Sequence, residues 1–176
     1  MGKFHLRPRF AAALALFLLS AASARVASDA QARKPIDPEV VHTAEGATEV
    51  GVLAGAEYRI DVPADWNGSL VVYYHGYAEH GASFHIAEHL HPDLETLTER
   101  HYAVAQSAYS EGGWAVQQAY PETEALRHYF DRKYGHPRDT YAVGGSMGGA
   151  LVMITLELNP KPYICLLYTS PSPRDS

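Results

Sequence analysis

Between residues 70 and 158 the spacing of apolar positions changes back and forth between two periods, and each change predicts an element. Residues 70–74 (Leu-Val-Val-Tyr-Tyr) are an unbroken apolar and aromatic run, the pattern of a strand covered on both faces, and they end in His75-Gly76-Tyr77. After a loop rich in His, Gly and Ala, Pro92 opens a predicted helix to Arg100 with Leu94 and Leu97 three apart. Residues 102–105 read as a strand, and Glu111-Gly112-Gly113-Trp114 leads into a helical stretch. Pro121 is expected to start, or at least to kink, a second helix. That helix has Glu122 and Glu124 in its first turn, Leu126, Tyr129 and Phe130 on one face, Arg132 and Lys133 in its last turn and Gly135 beyond. Residues 140–143 form a short β-type run, and 150–158 an apolar segment with no charge until Glu157. The order β-α-β-α-β-α predicts a mainly parallel sheet with helices on both faces. Upstream, 48–53 and 57–62 are β-type runs joined around Ala54-Gly55-Ala56, read as an antiparallel hairpin at the sheet edge, and 63–68 is turn chemistry. No internal repeat is visible.

The two ends change the picture. Lys3, Arg7 and Arg9 precede an apolar stretch over 10–19, followed by Ser20-Ala21-Ala22-Ser23-Ala24, small residues where a signal peptidase needs them. Residues 1–24 therefore read as a signal peptide of a secreted or periplasmic protein. The apolar stretch is about half of the ~20 residues that span a bilayer, so no stable membrane anchor is expected. Residues 25–44, polar and proline-bearing from 31 to 38, read as a mobile leader. At the other end, 165–175 (Cys-Leu-Leu-Tyr-Thr-Ser-Pro-Ser-Pro-Arg-Asp) resembles one reading frame of a sequencing-library adapter. Residues 165–176 are accordingly set aside as a non-native tail. This leaves 45–164 as a partial domain, with the sheet expected to end at the serine strand, 140–143.

Charge and cysteine content then exclude several classes. The whole chain holds 14 basic and 20 acidic side chains. Residues 1–30 account for four basic and one acidic, and 165–176 for one of each, so 31–164 keep 9 and 18, a net charge of −9. Such a surface offers no electrostatic case for nucleic acid. The single cysteine, Cys165, lies in the tail, so the domain contains neither a disulfide nor a reactive thiol.

The candidate chemistry sits between the last predicted strand and helix. Gly144-Gly145-Ser146-Met147-Gly148-Gly149 matches Gly-x-Ser-x-Gly in a strand-turn-helix context, which presents a serine hydroxyl on a sharp turn. The turn forces the serine into strained backbone geometry and brings strand and helix so close that side chains at Gly144 and Gly148 would collide. A glycine turn with Ser146 merely capping the helix is the plainer reading. It does not account for a second loop, His75-Gly76-Tyr77, ending an earlier strand.

A rival lies in the histidines. His80, His85, His89 and His91 fall within twelve residues beside Glu79 and Glu88, with His85 and His89 four apart as zinc ligands on a helical face would be. His-Glu-x-x-His is absent, the inverted His-x-x-Glu-His spacing is not met at His75–His80, and Pro92 interrupts the register. A wet loop rim is the favoured reading and no metal is expected. Trp114 is read as core filler first and as a substrate-pocket wall second.

On Tyr74-His75-Gly76-Tyr77, Gly113-Trp114 and the run from Thr140 to Gly149, residues 45–164 resemble the N-terminal half of a secreted α/β-hydrolase of the esterase and prolyl-oligopeptidase-like group. The resemblance implies an α/β-hydrolase fold, truncated after the nucleophile helix, and a serine hydrolase. Ser146 would attack an acyl carbon, and the backbone N–H of Met147, with that of Tyr77 or Gly76, would hold the oxyanion. It implies no cofactor, and an ester or, second, a peptide as small-molecule substrate. In this group the triad acid and histidine follow the serine after later strands, and no His follows His136. The fragment is therefore expected to be inactive alone, and a catalytically silent binding domain on the same fold is the alternative of a different class.

Overall fold

The computed structural model describes residues 37–169. The signal-peptide reading of 1–24 and most of the leader lie outside these residues. Seven strands, β1 (Glu39–His42), β2 (Gly46–Leu53), β3 (Ala56–Pro63), β4 (Ser69–Tyr74), β5 (Ala103–Ser107), β6 (Asp139–Gly145) and β7 (Cys165–Thr169), form one sheet. Three helices, α1 (Pro92–Glu99), α2 (Val116–Tyr134) and α3 (Met147–Leu158), connect its later strands. The strand order is β1-β2-β3-β5-β4-β6-β7. The sheet is antiparallel from β1 through β5 and parallel from β5 through β4 and β6 to β7.

The unbroken apolar run at β4 has the cause the pattern predicts. Leu70, Val72 and Tyr74 point to one face, where they meet Ala119, Leu126 and Phe130 of α2 and Leu151 and Val152 of α3 in the main core. Val71 and Tyr73 point to the other face and meet Leu94 and Leu97 of α1. Helices thus cover both faces of the parallel half, as a parallel sheet requires.

Three expectations need correction. The leader does not reach residue 44, because Glu39–His42 pair with Ala47–Val50 as an edge strand outside the predicted hairpin. Residues around Pro121 form no second helix start: α2 is continuous, with Pro121 as its sixth residue. Near the N-terminus of a helix the missing N–H removes one bond to Gln117, and burial of Ala119, Leu126 and Phe130 outweighs that loss. The sheet does not end at the serine strand, since β7 adds to β6 in parallel register from Tyr141–Cys165 to Gly145–Thr169. An exposed strand edge offers a row of unpaired amides and carbonyls to any β-competent segment that follows. The segment over His85–His89 is turn rather than helix, so these two histidines share no helical face.

A buried carboxylate holds the antiparallel half to α2. Glu49 on β2 is fully buried and accepts from the hydroxyls of Tyr58 (2.6 Å), Tyr129 (2.6 Å) and Tyr134, with the Lys133 ammonium 2.8 Å away. Burial alone would raise its pKa. The four donors together outweigh that and hold it below the ordinary carboxylate range.

Candidate active site

The β4–α1 loop, the β5–α2 loop and the β6–α3 turn all leave the carboxyl ends of adjacent parallel strands. Successive strands β5 and β6 lie on opposite sides of β4, with α1 and α2 on opposite faces. Their connections therefore diverge, and the crevice so formed is where open α/β sheets bind ligands.

Ser146 stands at that crevice between β6 and α3, exposed, with φ 55° and ψ −125°. A non-glycine residue in the left-handed region is strained by about 1–3 kcal/mol and persists only when its surroundings impose it. The surroundings here are measurable. A Cβ on Gly148 would lie 2.0 Å from the Tyr74 carbonyl oxygen and 2.9 Å from that of His75; one on Gly144 would lie 2.5 Å from the Gly148 carbonyl. Strand β4, strand β6 and the first turn of α3 therefore touch backbone to backbone.

Met147 is the first residue of α3, a position whose N–H has no acceptor within the helix, and its side chain is buried beneath the turn. Across the crevice, Gly76 approaches closely enough that a Cβ there would lie 3.6 Å from the Ser146 Cβ. The structure thus brings Gly144, Ser146, Met147, Gly148 and Gly76 together, with Tyr77 next in the chain. It brings no imidazole into a hydrogen bond with Ser146 among the described contacts.

His75 and Tyr109 hold the Gly76 loop. Their rings stack at 3.9 Å and 20°, and the Tyr109 hydroxyl donates to the His75 carbonyl at 3.2 Å. His75 Nδ1–H donates to the Gly76 carbonyl at 2.6 Å, and that carbonyl fixes the tautomer because it can only accept. Burial lowers the His75 pKa, which keeps the ring neutral. Tyr109 itself has φ 56°, a second strained residue in the crevice. The sequence reading missed Tyr109. Its signal was the turn chemistry of Tyr109 to Gly113 at the end of a strand beside the switch point.

Trp114 is not core: it is 73% exposed. It packs instead against Tyr77, itself 53% exposed, at 5.9 Å between ring centroids. Of the loop histidines, His91 accepts from the Asp93 N–H and caps α1, and His89 lies 4.0 Å from Glu95. Among the described residues no three His, Cys, Asp or Glu side chains converge as metal ligands. A cavity of about 610 Å³ lies at the opposite end of the sheet, between Thr43, Asp61, Asp65, Glu95 and His101. It is remote from Ser146 and has no part in this site.

No protein-family model and no curated protein matches the chain. Among solved structures it is similar to a cold-adapted esterase from an Arctic intertidal metagenomic library, at TM-score 0.51 and 15% identity over 74% of this chain and 63% of that one. It is also similar to a prolyl endopeptidase (TM-score 0.48, 18% identity, 73% of this chain and 20% of that chain) and to oligopeptidase B from Leishmania major (0.49, 13%, 72% and 24%). The chain therefore spans about a fifth to a quarter of the length of these two peptidases. The likeness to the esterase shows the fold, an α/β-hydrolase fold whose sheet is mixed, parallel around the site and antiparallel at one side.

Proposed function

We propose that the chain carries the nucleophile and oxyanion-hole half of an exported serine hydrolase acting on carboxylic esters through an acyl-enzyme. The observation that supports this most is Ser146: an exposed hydroxyl on a strained turn, φ 55°, held by two glycines that admit no Cβ and faced across the crevice by the Gly76 loop. Strain at an exposed polar residue is costly for folding and useful for reaction, because it keeps the hydroxyl clear of the helix it leads into.

In this reading Ser146 Oγ attacks the acyl carbon and its proton passes to a base. The carbonyl oxygen, now negative, accepts from the N–H of Met147 and from that of Tyr77 or Gly76. The alcohol leaves with the proton, and water then attacks the acyl-serine and restores the hydroxyl. The base in this reading is a histidine oriented by an acid, which the resemblance places after the elbow helix in chain order. Residues 1–24 direct export.

The test uses the enzyme with its triad acid and histidine present. A fluorophosphonate should label it once, at Ser146, and Ser146→Ala should abolish both labelling and hydrolysis of an activated short-chain ester. Matched ester and peptide substrates decide which acyl bond is preferred. Labelling at another residue, or turnover that a chelator stops and Ser146→Ala does not, would overturn the proposal.

A further inference from the structure

Two large aromatic side chains stand in solvent beside the serine, on loops built to hold them there. Tyr77 and Trp114 are 53% and 73% exposed, with rings 5.9 Å apart and tilted by 58°. Exposing that much aromatic surface forgoes the burial that Tyr58, Tyr74 and Tyr109 all achieve. The two loops are zipped together directly under the pair. Ala78 and Gly113 form an antiparallel bridge in which the Gly113 N–H donates to the Ala78 carbonyl at 2.7 Å.

The fit of the loops is tight. A Cβ on Gly112 would lie 2.4 Å from the Glu79 carbonyl oxygen and 2.7 Å from the Gly81 nitrogen. Gly113 has φ 73°, a conformation glycine adopts freely, and the Tyr77 ring lies over it. Behind Trp114, the buried Glu122 carboxylate of α2 accepts from the Ser110 N–H at 2.9 Å and from its hydroxyl, which fixes the start of the same loop. Tyr77 follows Gly76, whose Cβ position is 3.6 Å from the Ser146 Cβ, so the Tyr77 backbone lies one residue, about 3.8 Å of chain, beyond that close approach.

We infer that Tyr77 and Trp114 form a recognition shelf for a flat ring attached to the scissile ester, on the acyl or the alcohol side. The inference rests on the serine-hydrolase reading for what the ring is attached to. Trp114 keeps most of its ring surface in solvent beside the tilted Tyr77 ring, and aromatic faces select flat, apolar, edge-positive partners over flexible chains of equal area. The two sides of the ester share that chemistry, and matched substrates separate them.

Ligand-observed NMR on the full chain carrying Ser146→Ala reads binding without turnover. Methyl 3-phenylpropanoate is compared with methyl hexanoate for the acyl side, and benzyl acetate with hexyl acetate for the alcohol side. Ligands of this size are expected at Kd of order millimolar. In one pair the ring-bearing ester should bind about fivefold or more tightly than its straight-chain twin, as an added aromatic contact allows. Trp114→Ala should remove that preference while leaving the straight-chain Kd within about twofold, and Trp114→Phe should retain part of it. No ring preference in either pair, or a preference that survives Trp114→Ala, would overturn the shelf. Fluorophosphonate labelling of the unmutated serine in the enzyme with its triad acid and histidine present separates the two readings. Labelling without ring preference sinks the shelf alone, whereas ring preference without labelling sinks the hydrolase reading and leaves a ring-binding surface.

Discussion

Gly148→Ala tests the geometry of the elbow, because two effects predict opposite signs for it. Gly148 is the second residue of α3, and intrinsic helix propensity favours alanine over glycine by up to about 1 kcal/mol. Against this, the new methyl would sit 2.0 Å from the Tyr74 carbonyl oxygen, 2.8 Å from its carbonyl carbon and 2.9 Å from the His75 carbonyl oxygen. All three are backbone atoms. Tyr74 cannot withdraw easily: it is fully buried, it closes the β4–β6 ladder opposite Gly144, and its hydroxyl lies 2.9 Å from that of Thr155. Since real Cβ contacts essentially never fall below 3.0 Å, α3 must move by about 1 Å relative to β4. Overpacking of this kind costs about 1–3 kcal/mol, and with no flexible side chain to yield, the upper end applies. The net expectation is a loss of about 2–3 kcal/mol, or roughly 1.3–2 M in urea midpoint at a slope of about 1.5 kcal/mol/M. A 1 Å displacement of the serine should also slow fluorophosphonate labelling about 10²-fold. Gly76→Ala is the control. Its Cβ would meet Gly145 and Ser146 at 3.5 and 3.6 Å, ordinary contact, so its midpoint should stay within about 0.5 kcal/mol of wild type. Urea unfolding followed by tryptophan fluorescence reads both. A Gly148→Ala chain as stable as wild type, or a Gly76→Ala chain equally damaged, would refute the close backbone approach.

Ser146→Gly should raise stability by about 1 kcal/mol in a thermal melt, since glycine relieves the positive φ, whereas Ser146→Ala keeps the Cβ and should change it little; equal effects would mean the turn is unstrained. Tyr77→Pro removes a proposed oxyanion donor and should lower kcat of the complete enzyme about 10²- to 10³-fold, with Tyr77→Phe mild; equal losses would assign the effect to the side chain. Glu49→Ala strands Lys133 and three tyrosine hydroxyls and should cost about 3 kcal/mol by urea midpoint; a loss below about 1 kcal/mol would show that the carboxylate only offsets its own burial. His75 is held neutral, with its folded pKa below 6.5, so the unfolded chain binds its proton first as pH falls. The stability it contributes is complete above about pH 6.5 and declines below it. Melts at pH 7.5 and 5.5 should show a larger drop in wild type than in His75→Gln, and identical drops would contradict burial of the ring.

The sequence by itself determined the elements of the parallel half and the place of the serine. Apolar runs at 70–74 and 102–105, and glycines around Ser146, are local signals with local causes: a strand covered on both faces admits no polar position, and a strand touching a helix backbone to backbone admits no Cβ. Tertiary structure decided the rest, because the remaining signals were ambiguous locally. Pro121 ends a helix in isolation and is tolerated when the faces on either side of it are buried. Residues 39–42 carry a weak β pattern that pairing with β2 makes into a strand. Residues 165–169 pair with β6, although the likeness of 165–175 to an adapter reading frame set them apart from the fold. Trp114 has the composition of a core residue and the position of a surface one, because the Ala78–Gly113 bridge fixes its loop above the crevice rather than beneath it. Tyr109 shows the limit most clearly. Its one local signal is the turn chemistry of Tyr109 to Gly113, yet its ring and hydroxyl hold a loop thirty-four residues away in sequence, and only the parallel pairing of β4 with β5 brings the two together.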